Sequence, residues 1–268
     1  MPELPDVEFI KQRLEGVLIG AQIVEASSHD RRLLRPHAPV AFGRALIGRR
    51  VSDVVRRGKW LMIALGDGRL FSHLGMTGWW VVREVANAAE RFERARIDVA
   101  RGRSRASLRY VDARRFGRLV VTSDFPEWDA LGPDPLADGI DVDRLADFAR
   151  SRRAIKDIVM DQRVLAGIGN ILATEAFWHA RIDPRAPSDT LSRKQLAAIA
   201  RALRDEIRRE LSTRAKATGD EWQDVLAIYG RTGEPCPRCR TTISRAVIAG
   251  RTTAFCPRCQ VTGSPRPR

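Results

Sequence analysis

Residues 236–259 of the chain read CPRCRTTISRAVIAGRTTAFCPRC and contain all 4 cysteines of the protein. In the spacing C-x2-C-x16-C-x2-C, each pair fits a tight turn that directs two thiolates toward one point. Four thiolates complete a tetrahedral shell around one zinc ion and leave no position for water, so we expect a structural zinc. Two disulfides are the alternative, which a reducing compartment disfavours. The predicted ligands are Cys236, Cys239, Cys256 and Cys259.

The residues between the two cysteine pairs predict a two-stranded hairpin. Their β-branched side chains flank Ala249 and Gly250, which suit a tight turn. Arg251 then begins the second strand near the hairpin tip, where a basic side chain can enter a nucleic-acid groove. A solvated surface arginine is the alternative. Residues 231–260 are too few for a hydrophobic core, so the metal is expected to supply folding free energy.

Upstream of the cysteines the hydrophobic pattern changes twice. Residues 3–18 place apolar side chains at helical spacing. Residues 21–125 are rich in β-branched and aromatic residues separated by turn signals, which indicates a β-sandwich or barrel. From 142 to 212 the periodicity is helical, and Ser192 is a candidate N-cap for the last and longest helix.

We therefore expect a multidomain α+β protein. It combines an N-terminal β-sandwich with a leading helix, a helical domain and a C-terminal four-cysteine zinc-finger β-hairpin. The expected boundaries are 1–130 for the sandwich, 131–141 for a linker, 142–230 for the helical domain, 231–260 for the finger and 261–268 for a disordered tail.

The chain is strongly basic, since Lys plus Arg exceed Asp plus Glu by 47 − 33 = 14 among 268 residues. This charge suggests a polyanionic partner, most simply nucleic acid, although a general preference for arginine is the alternative. No apolar run approaches the ~20 residues of a membrane span. The N-terminus lacks the basic and apolar regions of a signal peptide, so we expect a cytoplasmic protein that does not contact a membrane.

The N-terminal sequence MPELPDVE indicates a nucleophile. A small second residue lets the initiator methionine be removed, which would leave Pro2 as a free secondary amine. An α-amine has a pKa of about 7.7–8.0, so a useful fraction is unprotonated near neutral pH. Such an amine can attack an electrophilic carbon and form an imine, with Glu3 beside it as acid or base. The alternative is that this proline-rich start only caps a helix.

One glycine-containing motif and two lysines are candidates for binding phosphate. LAGIGN places Gly167 and Gly169 before Asn170, which opens a helix whose free N–H groups suit an anion. A tight interhelical turn explains this motif equally well. Lys156 is a candidate for a second phosphate contact. Lys59 follows a glycine at a strand start, from which its charged end can reach a cleft.

Three further side chains are candidates for entering a base stack. HLGMTG places Met76 in a glycine-flanked loop, and DARRFGR places Arg114 and Phe116 on one side of an extended segment. Exposed apolar side chains beside a basic surface are what a wedge between bases requires. Burial in the core is the alternative for each apolar residue taken singly.

Taken together, these motifs resemble the bacterial formamidopyrimidine-DNA glycosylase/endonuclease VIII family. The similarity covers nearly the whole chain in the order PELPDVE, GKWL, HLGMTG, DARRFGR, GIGN, YGRTGEPC and the four-cysteine finger. The PELP start, HLGM and RRF favour the formamidopyrimidine-DNA glycosylase branch. The resemblance implies a β-sandwich, a helix–two-turn–helix domain and a zinc finger.

The resemblance also implies an enzyme of base excision repair that flips a damaged base out of double-stranded DNA. It would cut the glycosidic bond and then nick the strand at the abasic site by β,δ-elimination. By motif match, Pro2 is the implied nucleophile and Glu3 the catalytic acid. Lys59 and Arg251 are implied to hold phosphates close to the lesion and so to support catalysis.

The resemblance also implies further DNA contacts in the N-terminal and helical domains. Met76, Arg114 and Phe116 match the residues that fill the gap left by the flipped nucleotide. Asn170, with Gly167 and Gly169 before it, matches the phosphate-binding asparagine that follows the two-turn element. The family also implies a monomer with one zinc ion.

Two departures from the family leave the preferred lesion open. Asp6 replaces the glutamate that is usual in PELPEVE, and the shorter carboxylate can alter a hydrogen bond at the lesion. Residues 212–231 lack the Gly-Gly-Thr-Thr stretch that usually accompanies a loop over flipped 8-oxoguanine. Ring-opened purines (formamidopyrimidines), 8-oxoguanine and oxidised pyrimidines all remain candidate substrates.

Two functions other than repair catalysis fit part of the pattern. A non-catalytic zinc-finger protein that binds damaged or distorted DNA would share the basic surface, the wedge and the finger, but it would have no use for the MPE start. An RNA-binding zinc protein would be expected to present stacking aromatic residues, whereas only 6% of this chain is aromatic.

Overall fold

The computed structural model of the protein describes residues 2–216 and 225–261. They belong to two compact units, Met1–Asp129 and Ala130–Arg268. The finer boundaries predicted from the sequence stay predictions. Within the described residues, no helix has the length and apolar character needed to cross a membrane.

The N-terminal unit begins with α1 (Leu4–Leu18), whose apolar residues at helical spacing are buried. The chain continues through β1 (Gln22–Ser28) into α2 (Pro39–Leu46), a short helix that sequence periodicity did not predict. Proline at the start of α2 suits a first helical turn, and Phe42 anchors the helix in the core.

Seven more strands and a single helical turn complete this unit. They are β2 (Asp53–Arg57), β3 (Trp60–Leu65), β4 (Gly68–His73), β5 (Gly78–Arg83), β6 (Glu93–Arg101), β7 (Ser104–Asp112), β8 (Arg118–Thr122) and α3 (Pro126–Asp129). Two antiparallel four-stranded sheets result, with the strand orders β1-β6-β7-β5 and β2-β3-β4-β8. Inward-facing residues of both sheets share one core with α1, for example Ile97, Leu61 and Ile10.

The second unit is helical in its first part. Its helices are α4 (Val142–Phe148), α5 (Ile155–Met160), α6 (Asn170–Ala180) and α7 (Arg193–Ala215), with a 3-10 turn at Ser188–Thr190. Ser192 caps α7 as expected: its hydroxyl accepts from the N–H of Gln195, whose side chain accepts in return from the N–H of Ser192.

The finger consists of β9 (Ser244–Ile248) and β10 (Arg251–Phe255), joined by the predicted Ala249-Gly250 turn. These elements confirm the α+β class with a sandwich, a helical region and a zinc-finger hairpin. Val261, predicted to begin a disordered tail, instead pairs with Ile182. The rest of that predicted tail, 262–268, lies outside the described residues.

Candidate nucleic-acid interface and zinc centre

The N-terminal segment is fixed at the start of α1. Glu3 is the N-cap residue of the helix and is only 2% exposed. Its backbone N–H donates to the carboxylate of Asp6 at 2.6 Å. The shorter side chain at position 6 therefore still reaches the backbone that leads to Pro2.

Lys59 lies in the two-residue turn between β2 and β3, so the strand predicted to start at Lys59 begins one residue later, at Trp60. The turn is anchored by Arg56, a buried guanidinium that donates to the Gly58 carbonyl at 3.1 Å. Arg56 also donates to Glu8 of α1 at 2.7 Å. The turn that presents Lys59 is therefore tied to the same helix that presents Glu3.

His73, at the end of β4, is a site residue that sequence reasoning missed. Burial and the positive charges of Lys59 and Arg118 lower the pKa of His73 to about 4. Its Nδ1 accepts from the backbone N–H of Gly75 at 3.0 Å. A neutral ring whose Nδ1 accepts carries its proton on Nε2. His73 is therefore an uncharged group that holds the loop carrying Met76.

The loops that carry the three candidate wedge residues pack against each other through their backbones. A Cβ on Gly75 would lie 2.4 Å from the carbonyl of Phe116, so only glycine fits there. A Cβ on Gly78 or Gly117 would lie 2.1 or 1.9 Å from the hydroxyl of Tyr110. That hydroxyl donates to the His73 carbonyl at 3.0 Å. Close approach of the two loops therefore depends on glycine at each of these points.

Asp112 fixes the second loop from inside. Its buried carboxylate accepts from the backbone N–H of Arg114 at 3.1 Å and of Gly117 at 2.8 Å. It also accepts from the Thr77 hydroxyl of the first loop at 2.5 Å. One carboxylate thus links both loops, a role that no local sequence pattern signals.

The side chains of these loops are presented outward to different degrees. Phe116 is 45% exposed, Arg114 is exposed and Met76 is half-buried. The guanidiniums of Arg114 and Arg32 each lie 5.2 Å from the centre of the Phe116 ring. An exposed phenyl ring close to two cations has the character of a base-stacking surface rather than of a core residue.

In the second unit, the GIGN motif forms a closed turn before α6. Gly167 has a φ of 94°, which favours glycine, and its N–H donates to Gln162 at 2.8 Å. Gly169 is the N-cap residue of α6, and Asn170 is its first residue. The Asn170 amide donates to the Thr252 carbonyl of β10 at 3.0 Å. The motif is thereby joined to the finger hairpin.

The structure corrects the expectation that Lys156 contacts phosphate. Lys156 is fully buried, and its ammonium donates to Asn170 Oδ1 at 2.5 Å, Thr174 Oγ1 at 2.8 Å and Thr253 Oγ1 at 2.7 Å. An ammonium has three N–H donors, and these contacts use all of them. Lys156 therefore acts within the protein, where it joins α5, α6 and β10 and orients the amide of Asn170.

Arg251 lies at the tip of the hairpin, as its position in the sequence predicts. The turn residues Ala249 and Gly250 have φ values of 47° and 71°, and Arg251 pairs with Ile248 directly after them. Its side chain is exposed. Since Thr253 and Thr252 of the same strand bond to Lys156 and Asn170, the strand that carries Arg251 is fixed relative to α6.

The four cysteines form one cluster. Their Sγ atoms all lie within 4.8 Å of one another, with 3.5 Å between Cys239 and Cys256 and 4.0 Å between Cys236 and Cys259. Tetrahedral zinc with Zn–S bonds of about 2.3 Å places sulfurs about 3.8 Å apart, which these spacings match. The cysteines are not disulfide-bonded. The donor set fits one structural zinc and leaves no position open.

A second residue that sequence reasoning missed holds the chain where it enters the finger. Glu175 of α6 is fully buried and accepts from the backbone N–H groups of Ala227, Ile228 and Tyr229 at 2.7–3.0 Å. These contacts place the start of the YGR motif against α6. The centre of the preceding segment, 217–224, lies outside the described residues, as does much of the stretch that lacks the Gly-Gly-Thr-Thr motif.

Comparison with known proteins gives a consistent match along the chain. The N-terminal domain of formamidopyrimidine-DNA glycosylase matches residues 1–119, its H2TH domain matches 131–221, and a zinc finger found in this family and in isoleucyl-tRNA synthetase matches 233–261. The formamidopyrimidine-DNA glycosylase of Herpetosiphon aurantiacus is 38% identical over 93% of this chain and 96% of its own length. That of Moorella thermoacetica is 38% identical over 91% and 94%.

Solved structures agree. A MutM structure in complex with DNA containing carbocyclic 8-oxo-G superposes with a TM-score of 0.86 at 29% identity, covering 97% of this chain and 99% of that one. A Lactococcus lactis formamidopyrimidine-DNA glycosylase bound to DNA with an abasic site gives a TM-score of 0.85 at 28% identity, over 96% and 99%. The chain belongs to the formamidopyrimidine-DNA glycosylase family.

Proposed function

We propose that this protein is a bifunctional DNA glycosylase and abasic-site lyase of base excision repair, with Pro2 as its nucleophile. The observation that carries the proposal is the PE start fixed on α1, in a chain of this family. Asp6 holds the backbone of Glu3, and this contact constrains the direction of the residue before it. A non-catalytic DNA-binding protein would gain nothing from this arrangement.

In the proposed reaction, the Pro2 nitrogen attacks C1′ of the flipped nucleotide. The N–C1′ bond forms as the base leaves with the electrons of the glycosidic bond, and Glu3 supplies a proton during this step. Opening of the sugar ring gives a cationic iminium. This electron sink acidifies the C2′ hydrogen, so β-elimination breaks the C3′–O bond, and δ-elimination then breaks the C5′–O bond.

The other candidate residues bind and deform the duplex. Extruding a nucleotide costs a few kcal/mol, and side chains that fill the vacated space offset part of this cost. We assign that role to Met76, Arg114 and Phe116. We assign phosphate contacts to Lys59, Asn170 and Arg251, with Lys156 as the residue that orients Asn170. Zinc, held by the four thiolates, stabilises the finger.

The substrate class follows from the relatives. Structures of relatives hold DNA with carbocyclic 8-oxo-G, Fapy-dG or an abasic site. We infer that double-stranded DNA carrying oxidised or ring-opened bases is the substrate here. The protein would act as a monomer in the bacterial cytoplasm, at the nucleoid.

Borohydride trapping tests this function. Reduction of the iminium would leave a covalent protein–DNA adduct, so we expect adducts with duplexes that carry a single lesion or abasic site. Mass spectrometry should first confirm Pro2 as the N-terminal residue. In the Pro2→Gly variant, adduct formation should slow while DNA binding is retained. A wild-type protein that binds these duplexes but forms no adduct would favour the non-catalytic binding protein.

A further inference from the structure

The Phe116 loop contains a backbone conformation that its residue does not favour. Arg115 has a φ of 59°, in the left-handed region where a residue with a Cβ is strained. Arg115 directly precedes Phe116, so this torsion sets the direction in which the chain presents the phenyl ring. Such strain persists only where the surrounding structure enforces it.

An ion pair at the same residue supplies that constraint. The Arg115 guanidinium donates to the Asp30 carboxylate in a two-bond arrangement, Nε to Oδ2 at 2.7 Å and Nη2 to Oδ1 at 2.9 Å. Asp30 is 6% exposed and accepts in addition from the backbone N–H groups of Arg32 and Leu33. Hydrogen bonding from Arg115 lowers the pKa of Asp30, so the carboxylate stays charged at neutral pH.

The Asp30 loop also reaches the phenyl ring itself. Arg32, two residues after Asp30, places its guanidinium 5.2 Å from the centre of the Phe116 ring. The backbone of Leu33 accepts from the N–H of Leu119 at 2.8 Å, which joins this loop to the strand after Phe116. One loop therefore contacts the chain before the ring, the ring and the chain after it.

We propose that Asp30 and Arg115 are positioning residues for lesion recognition. Their ion pair maintains the left-handed backbone at residue 115 and so holds the Phe116 ring in the orientation that enters the duplex. The proposal rests on the role of Phe116 given above. Glycine at 115 would adopt the same φ without strain but would also leave it freely, so an arginine paired with Asp30 gives a more rigid loop.

The test compares Arg115→Ala with Arg115→Gly, because both lose the ion pair but only alanine keeps the strain. In single-turnover assays on a duplex with one damaged base, we expect Arg115→Ala to excise about tenfold more slowly. The excision rate of Arg115→Gly should lie within about threefold of the wild-type rate. Nicking at a preformed abasic site should change by less than about twofold, because less stacking must be broken there. Asp30→Asn should slow excision about fivefold and likewise leave nicking nearly unchanged.

Loss of a positive charge is controlled by Arg103→Ala, which removes an exposed arginine from another turn of the same unit. Equal excision by the alanine and glycine variants would overturn the proposal, as would a parallel fall in excision and nicking. The parallel fall would indicate that Arg115 contacts DNA through its charge. If Arg115→Ala does not fold, Asp30→Asn decides alone, and unchanged excision would overturn the proposal. A wild-type enzyme that excises no base would instead refute the proposed function.

Discussion

Two regions of the molecule present candidate DNA contacts by different physical means. The Phe116 scaffold, made of the loops 74–77 and 113–117, rests on the sandwich and is held by close backbone packing at glycines and by carboxylates. The lysine–zinc junction, made of Lys156, Asn170, β10 and the four cysteines, is held by a buried ammonium and a metal site.

The difference follows from the size of the core beneath each region. The sandwich joins two sheets and a helix in one hydrophobic cluster, which can fix loops by packing alone. The finger buries only a few apolar residues and needs metal ligands and hydrogen bonds to a charge. The two regions should therefore fail under different perturbations.

Zinc removal should have the largest effect, and it should fall on the lysine–zinc junction. Cys256→Ser leaves three thiolates, so we expect zinc loss, unfolding of the hairpin that carries Arg251, and a fall in DNA affinity of about 100-fold or more. Zinc content by atomic absorption and DNA affinity by fluorescence anisotropy measure this. Ser244→Ala in β9 is the matched control and should keep the wild-type zinc content and DNA affinity. Full zinc content in Cys256→Ser would contradict the assignment of the ligands.

Replacing the buried ammonium should weaken the same junction less. Lys156→Met leaves three oxygen acceptors without their shared donor, at a cost of about 2–4 kcal/mol in the free energy of unfolding. Because Asn170 Oδ1 loses the ammonium that orients it, DNA affinity should also fall about tenfold. Chemical denaturation monitored through zinc release measures the free energy of unfolding, and a DNA titration measures the affinity. Lys194→Met removes an exposed lysine from α7 and should change neither; equal effects of the two variants would show that only charge matters.

Acid should weaken the Phe116 scaffold through His73. In the unfolded chain His73 is protonated below its ordinary pKa of 6.5, whereas in the folded protein it is protonated only near pH 4. Between these values the unfolded state binds more protons, so His73 stabilises the fold fully above pH 6.5, and this contribution is lost as the pH falls toward 4. The loss is at most about 3 kcal/mol and is smaller to the extent that the ring is solvated.

His73→Gln keeps an acceptor for the Gly75 N–H but cannot take up a proton in this range. Urea unfolding at about pH 7 and about pH 5 should therefore show a smaller difference for this variant than for wild type. His29→Gln, at an exposed histidine, is the control and should behave as wild type. An unchanged acid sensitivity in His73→Gln would assign the loss to other groups.

The sequence predicted those parts of both regions that depend on local patterns. The spacing of the cysteines, the Ala249-Gly250 turn and the apolar positions of α1 each report structure within a few residues. The short helix α2 was missed, because its eight residues give too little periodicity within a strand-rich stretch.

The contacts that hold the candidate site could not be predicted, because their partners are distant in sequence. Lys156 and Thr253 are 97 residues apart, and Asp30 and Arg115 are 85 apart. From the sequence alone, a single lysine is expected to lie at the surface, since burial of an ammonium is unfavourable unless its donors are satisfied. Only the fold shows that three oxygens surround Lys156, and this is why its predicted phosphate contact was wrong.

The smallest predicted effect is at Asp6, in the first turn of α1. The carboxylate accepts from the Glu3 N–H, so Asp6→Ala should lose about 1 kcal/mol as a lost helix cap and slow borohydride-trapped adduct formation about threefold to tenfold. Asp6→Glu keeps a carboxylate that can reach the same N–H, and adduct formation should stay within about threefold of wild type.

The pair of variants at Asp6 separates positioning of the N-terminus from lesion choice. If Asp6 only orients Glu3 and Pro2, Asp6→Ala should slow adduct formation equally on damaged-base and preformed abasic duplexes, because both need the same amine. If the shorter carboxylate instead contacts the flipped base, Asp6→Glu should change the ranking of lesions while leaving the abasic reaction unchanged. The hydrogen bond to the Glu3 backbone favours the first outcome, since it holds the buried Asp6 carboxylate against the start of α1.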